Sequence, residues 1–91
     1  MLPDEVRRYW TEAATLTKFL LYDKALEAYD KALAVAPWWP PSWFNRALLL
    51  AEQGHTRTAI REMKMYLALD PTAADARVAQ DKIHEWELQT K

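Results

Sequence analysis

Ala25-Leu26-Glu27-Ala28-Tyr29, running on to Leu33-Ala34-Val35-Ala36-Pro37, decides the fold, because the chain contains it twice. The second copy stands 34 residues later as Ala59-Ile60-Arg61-Glu62-Met63, running on to Leu67-Ala68-Leu69-Asp70-Pro71. The match extends upstream: Tyr9 returns as Trp43, Ala13 as Ala47 and Leu16 as Leu50. A repeat of this length signals supersecondary units that cannot bury their apolar faces alone and stack to share one core. Stacked units of this kind are built to offer a surface and rarely carry out chemistry.

Spacing within each copy predicts helices. Tyr9, Ala13, Leu16 and Leu20 recur at helical intervals in a first helix expected from about Pro3 to Leu20. Leu26, Tyr29, Leu33 and Ala36 do so in a second, with Asp23 as its expected cap and Pro37 as its stop. A third helix is expected from about Pro41 to Gly54, with Trp43, Ala47 and Leu50 as its stripe. A fourth runs from about Thr56 to Leu69, turning Ala59, Ile60, Met63 and Leu67 inward, and Asp70-Pro71 ends it. A fifth is expected to open at Thr72, with Asp75 three residues on in a near capping-box arrangement, and to bury Ala76, Ala79, Ile83 and Trp86. No strand signal competes. Short connections make consecutive helices antiparallel neighbours. The expected fold is all-α: two helical hairpins and a fifth helix.

Composition supports helix over sheet and narrows function. The 91 residues suit one small domain. Gly54 is the only glycine and Ser42 the only serine, while 51% of residues are hydrophobic and five are Trp. A net charge of −1 implies no polyanion, so no nucleic-acid partner is expected. The absence of cysteine removes disulfides and thiolate chemistry. No apolar run is long enough to span a bilayer, so no membrane insertion is expected. With no leader pattern at Met1-Leu2-Pro3-Asp4-Glu5, the cytoplasm is the default expectation for a compartment that the sequence leaves unknown.

Candidate chemistry is thin. Ser42 beside the start of the third helix reads as a cap or turn residue and not as a nucleophile. Asp81, His84 and Glu85 share a helix face but read as solvated charge. Arg57, Arg61 and Lys64 form a basic stripe that Glu62 and the near-neutral total assign to a solvated face. No Gly-rich phosphate loop exists. No catalytic residue, metal or cofactor is expected. In Trp38-Trp39-Pro40-Pro41, one indole is expected to staple the hairpins while the other stays partly exposed; a partner-contact patch is the alternative reading.

These residues resemble the tetratricopeptide repeat, whose pattern is W-x2-L-G-x2-Y, then A-x3-F, then P, over about 34 residues. The first unit has Tyr9-x2-Glu12-Ala13-x2-Leu16, then Ala25-x3-Tyr29, then Pro37. The second has Trp43-x2-Arg46-Ala47-x2-Leu50, then Ala59-x3-Met63, then Pro71. Ala13, Ala25, Ala47 and Ala59 stand where the helices of a hairpin come closest, and a larger side chain there would force them apart. The resemblance implies a short right-handed α-solenoid, with one repeat at about 6–39, a second at about 40–73 and a capping helix at about 73–88. A polar Arg77, Asp81 and His84 in the third unit fit a helix that solvates the end of the stack. Leu20 and Leu21 make the first hairpin turn unusually apolar where the second has Gln53-Gly54.

The resemblance also implies a concave groove on the odd-numbered helices that binds a partner peptide or helix. Trp10, Ala14 and Thr17, then Phe44, Leu48 and Ala51 with Asn45, then Val78, Lys82 and Glu85 form the matching faces. The expected partner-binding residues are Trp10, Ala14, Phe44, Asn45, Leu48, Val78 and Lys82. One subgroup grips the C-terminal carboxylate of heat-shock chaperones with Lys and Asn side chains. The matching positions here hold Trp10, Ala14, Asn45, Asp75 and Ala79, of which Asn45 alone fits. The expectation is therefore a non-enzymatic protein-interaction module with a mainly apolar groove. The alternative is an assembly module that self-associates or belongs to a longer array, because two and a half units leave end faces open.

Overall fold

A computed structural model describes residues 1–91 and contains five α-helices and no strand. They are α1 (Asp4–Lys18), α2 (Tyr22–Val35), α3 (Pro40–Glu52), α4 (Thr56–Leu69) and α5 (Ala76–Gln89). Successive helices run antiparallel, so α1, α3 and α5 form one layer and α2 and α4 the other. The molecule measures 38 × 29 × 19 Å, and its thin dimension is about two helix diameters. The architecture is that of a short helical repeat solenoid.

The four crossing alanines, Ala13, Ala25, Ala47 and Ala59, are completely buried. Three apolar groups form the core. Val6, Ala32 and Ala36 hold the start of the first hairpin, with Tyr9 and Trp39 packed on them. Ala13, Ala25, Ala28 and Tyr29 receive Leu49 from the second hairpin. Ala47, Leu50, Ala59, Met63 and Tyr66 are closed from the far side by Ala79, Ile83 and Trp86 of α5. Arg77, Asp81 and His84 are exposed, so α5 turns a polar face to water.

Helix boundaries follow backbone chemistry more than side-chain caps. No helix has a side-chain cap bond. Leu21, not Asp23, is the N-cap of α2; Asp23 lies inside the first turn and accepts from Gln53 Nε2 at 3.3 Å. The fifth helix begins at Ala76 and not near Thr72. The Pro71–Asp75 segment is spent on turns closed by Ala73 N–H to Asp70 O and Ala76 N–H to Ala73 O. Ser42 is no cap either. It is a fully buried residue of α3 whose hydroxyl finds no partner. Leu20 lies beyond α1 and is exposed, and Leu33 is only half-buried. Of the five helices, α3 packs against three others, α1, α2 and α4, and it buries Ser42 and Leu49 as well as Ala47 and Leu50.

Both hairpin turns use one hydrogen-bond pattern. Leu21 N–H donates to Leu16 O at 3.0 Å, and His55 N–H donates to Leu50 O at 2.9 Å. This closure places the preceding residue in the left-handed region. Gly54 takes it at φ 85°, and Leu20 takes it at φ 61°.

Candidate partner-binding groove

A cavity of about 350 Å³ is lined by residues of α1, α2 and α3. Ala14, Leu48 and Leu49 supply its apolar walls. Thr17, Asn45 and the rings of Tyr22 and Tyr29 line its base, and Glu52 stands at its margin. Burial raises the Tyr29 phenol above the ordinary value of 10.0, opposed by hydrogen bonding with the Asn45 and Thr17 side chains. A buried ring with a polar tip needs such partners. Thr17 Oγ1 also donates to Ala13 O at 2.8 Å, which fixes that hydroxyl on α1.

Trp10 does not line this cavity. Its indole meets Trp39 edge-to-face at 6.0 Å, and its Nε1 donates to Pro41 O at 3.4 Å. It bounds a separate cleft with Arg7, Thr11, Trp39 and Pro41. Trp43 Nε1 donates to Pro37 O at 2.7 Å, so two indoles, one from each hairpin, hold the linker. Of the Trp38-Trp39 pair, Trp39 packs on Val6, Ala32 and Ala36 of the first hairpin, and Trp38 remains half-exposed. Phe44 is half-buried and lies edge-to-face on Tyr66 at 5.0 Å. It therefore braces α3 on α4. Ala14, Asn45 and Leu48 are the expected residues brought together in the cavity.

The groove continues toward α5 as a smaller, more polar cleft lined by Leu48, Ala51, Glu52, Lys82, Glu85 and Trp86. Lys82 Nζ is 3.7 Å from Glu85. Val78 is 47% exposed and lines neither cleft. Glu52, which lines both clefts, makes no ion pair, and Lys82 lines the second cleft with it. Tyr22 and Tyr29 also line the cavity, although helical spacing assigns Tyr29 to the core stripe of the second helix. Their spacing of seven residues and their polar ring tips were the available signal.

Behind the groove, Arg46 ties three helices together. Its Nε donates to Asp30 Oδ1 of α2 at 3.0 Å, and its guanidinium also bonds the Glu62 carboxylate of α4. Burial works against the Arg46 charge, but hydrogen bonding and charge from Glu62 and Asp30 outweigh it and raise its pKa. Glu62 is thus a buried pairing residue and not part of a solvated face. No three His, Asp or Glu side chains cluster as a metal site would require. No helix is long and apolar enough to cross a membrane.

Residues 21–84, well over half of the sequence, match the tetratricopeptide repeat family. The chain belongs to the tetratricopeptide repeat family. The match begins at the first hairpin turn and runs through the body of α5. A search of curated proteins finds no match. Tetratricopeptide repeats are generally protein–protein interaction modules and typically non-enzymatic scaffolds.

Proposed function

We propose that this tetratricopeptide repeat domain captures an amphipathic segment of a partner protein in the groove between α1 and α3. Repeat limits of about 6–39 and 40–73, followed by the capping helix, frame that groove. The observation that carries the reading is the cavity itself. Its walls are apolar at Ala14, Leu48 and Leu49, its base is polar at Asn45 and Tyr29, and Glu52 stands unpaired beside it. Apolar walls with a few placed polar groups suit a side chain that is greasy along its stem and polar at its tip. A free carboxylate next to the Tyr22 ring favours a segment carrying Lys or Arg over an acidic tail. Trp10 and Phe44 support this site by fixing α1 and α3, and Lys82 extends its polar margin toward α5.

The assembly reading has less support. On α3 the flank against the preceding hairpin is Ser42, Asn45 and Leu49. The same positions on α1 hold Arg8, Thr11 and Thr15, with Arg8, Thr11 and Thr15 exposed. A helix stacked there would find little apolar area and would desolvate a guanidinium. The test is NMR shift mapping with two amphipathic peptides of equal hydrophobicity, one basic and one acidic. The expected result is that the basic peptide perturbs Ala14, Asn45, Leu48 and Glu52 amides. Perturbation confined to α2, α4 or the Trp38-Trp39 linker would overturn the groove reading.

A further inference from the structure

The first hairpin turn carries three consecutive exposed apolar side chains: Phe19 at 72%, Leu20 at 70% and Leu21 at 46%. We propose that this turn is a lipid-contacting tip that seats in the headgroup region of an anionic bilayer. The case begins with Leu20. Its φ of 61° lies in the left-handed region, where a Leu side chain is strained and Gly is not. The equivalent turn of the second repeat meets the same backbone demand with Gly54. Folding therefore does not require Leu at this position, and the strain is borne by a side chain turned into water.

Three features favour a lipid surface over another protein. Leu20 and Leu21 border only an open cleft with Tyr22, Asp23, Lys24 and Gln53, and the three side chains of the tip offer on the order of 300–400 Å² of apolar area, well below the ~800 Å² per partner of a stable protein interface. A bilayer interface needs neither a matched cavity nor that area. The backbone donors of the tip are already satisfied: Phe19 N–H on Thr15 O, Leu20 N–H on Thr17 O and Leu21 N–H on Leu16 O. The N–H groups of these three residues therefore lose no hydrogen bond when water is displaced. Charge complements anionic headgroups as well. Lys18 and Lys24 flank the tip and both are exposed, and Arg57 stands at the same end of the stack on the neighbouring turn. Of the acids at that end, Asp23 accepts from Gln53 and Glu52 faces the groove, while α5 ends beside Arg57 with its Glu87 3.8 Å from Lys64. Contact of this kind reaches one leaflet's surface and does not cross it.

The test is co-sedimentation with phosphatidylcholine vesicles, with and without about 30% phosphatidylserine, at low salt and at about 0.5 M salt. The protein is expected to bind the anionic vesicles at low salt, weakly otherwise. Phe19→Ser with Leu21→Ser is expected to abolish binding. Leu20→Gly is the sharper variant: it removes the strain, so its Tm rises, while vesicle binding falls at least about threefold. No binding by the wild-type chain, or binding unchanged in both variants, overturns the proposal. So does a concentration-dependent dimer in sedimentation equilibrium that the double variant abolishes, which would give the tip to a second copy. Failure on either count leaves the groove reading untouched, because none of these three residues lines the groove cavity.

Discussion

Arg46 stands where the family pattern has Leu, and its partner Glu62 stands where the first repeat has Ala28. The two departures are one event: a charge brought into the inter-hairpin seam together with its counter-charge. Removing the cation alone leaves the Glu62 carboxylate buried, with Oε1 already unpartnered. Arg46→Leu is therefore expected to cost about 2–3 kcal/mol, discounted from a fully buried pair because part of the guanidinium reaches water. Arg46→Leu with Glu62→Ala is expected to recover most of that loss, and urea denaturation of the two variants reads the difference. A double variant as unstable as the single one would show that the seam needs the ion pair itself. Tyr29 and Tyr66 make a second residue-scale statement. Burial raises both phenols, joined at Tyr66 by the charges of Asp75 and Asp70. The folded state then holds its phenolic protons more tightly than the unfolded state does. Stability is full below the ordinary value of 10.0 and declines as pH rises through the folded values. Urea midpoints are expected to fall above about pH 10, with a shallower fall in Tyr29→Phe. Equal slopes for wild-type and variant would remove Tyr29 from the account.

At the scale of elements, the 34-residue offset made the helix count, the order and the crossing alanines legible, because repetition averages out local noise. Pro37 and Pro71 each follow an even-numbered helix, α2 and α4, which end at Val35 and Leu69. What could not be read was local. Capping chemistry predicted Asp23 and Thr72, but the turns are closed by backbone bonds and no side chain reaches a free N–H. Ser42 follows two prolines as a cap would, yet it is a fully buried residue of α3 with an unpartnered hydroxyl. The groove was legible in outline from helical spacing, and it missed Tyr22 and Tyr29 because α2 was read as a single face. The bent path of Trp10 toward Pro41 depends on the linker's three-dimensional course, which no periodicity encodes. The fifth helix carries the prediction at this scale. Ala79, Ile83 and Trp86 cover Met63 and Tyr66. Ending the chain before Thr72 would uncover them, and the product is expected to aggregate or to lose cooperative unfolding. Calorimetry of a soluble, equally cooperative truncation product would show the cap to be dispensable.

The whole molecule divides its aromatic residues between holding the stack and offering a surface, and that division fixes how binding and stability separate. Trp10 and Trp43 spend their indole N–H groups on Pro41 O and Pro37 O, and Trp39 packs edge-to-face with Trp10. Phe44 spends its ring on Tyr66. Truncating Trp10 or Trp43 removes a bond that holds the segment between the hairpins, and truncating Phe44 removes a brace of α3 on α4. Leu48 differs, since it is half-buried, projects into the groove and touches both clefts. Trp10→Ala is thus expected to lower stability by about 2 kcal/mol, less than the cost of a fully buried Trp because the ring is half-exposed. Its effect on binding is expected to be indirect. Leu48→Ala is expected to leave the denaturation midpoint within about 1 kcal/mol of wild type and to weaken a basic amphipathic peptide by more than about 1 kcal/mol. Glu52→Gln is expected to keep stability, to weaken the basic peptide and to flatten its salt dependence, since the charge it removes has no partner inside the protein. Titration calorimetry at two ionic strengths, paired with urea midpoints, separates the three. If Trp10→Ala instead weakened binding at full stability while Leu48→Ala did nothing, the binding face would be the cleft between Trp10 and Pro41, not the cavity between α1 and α3.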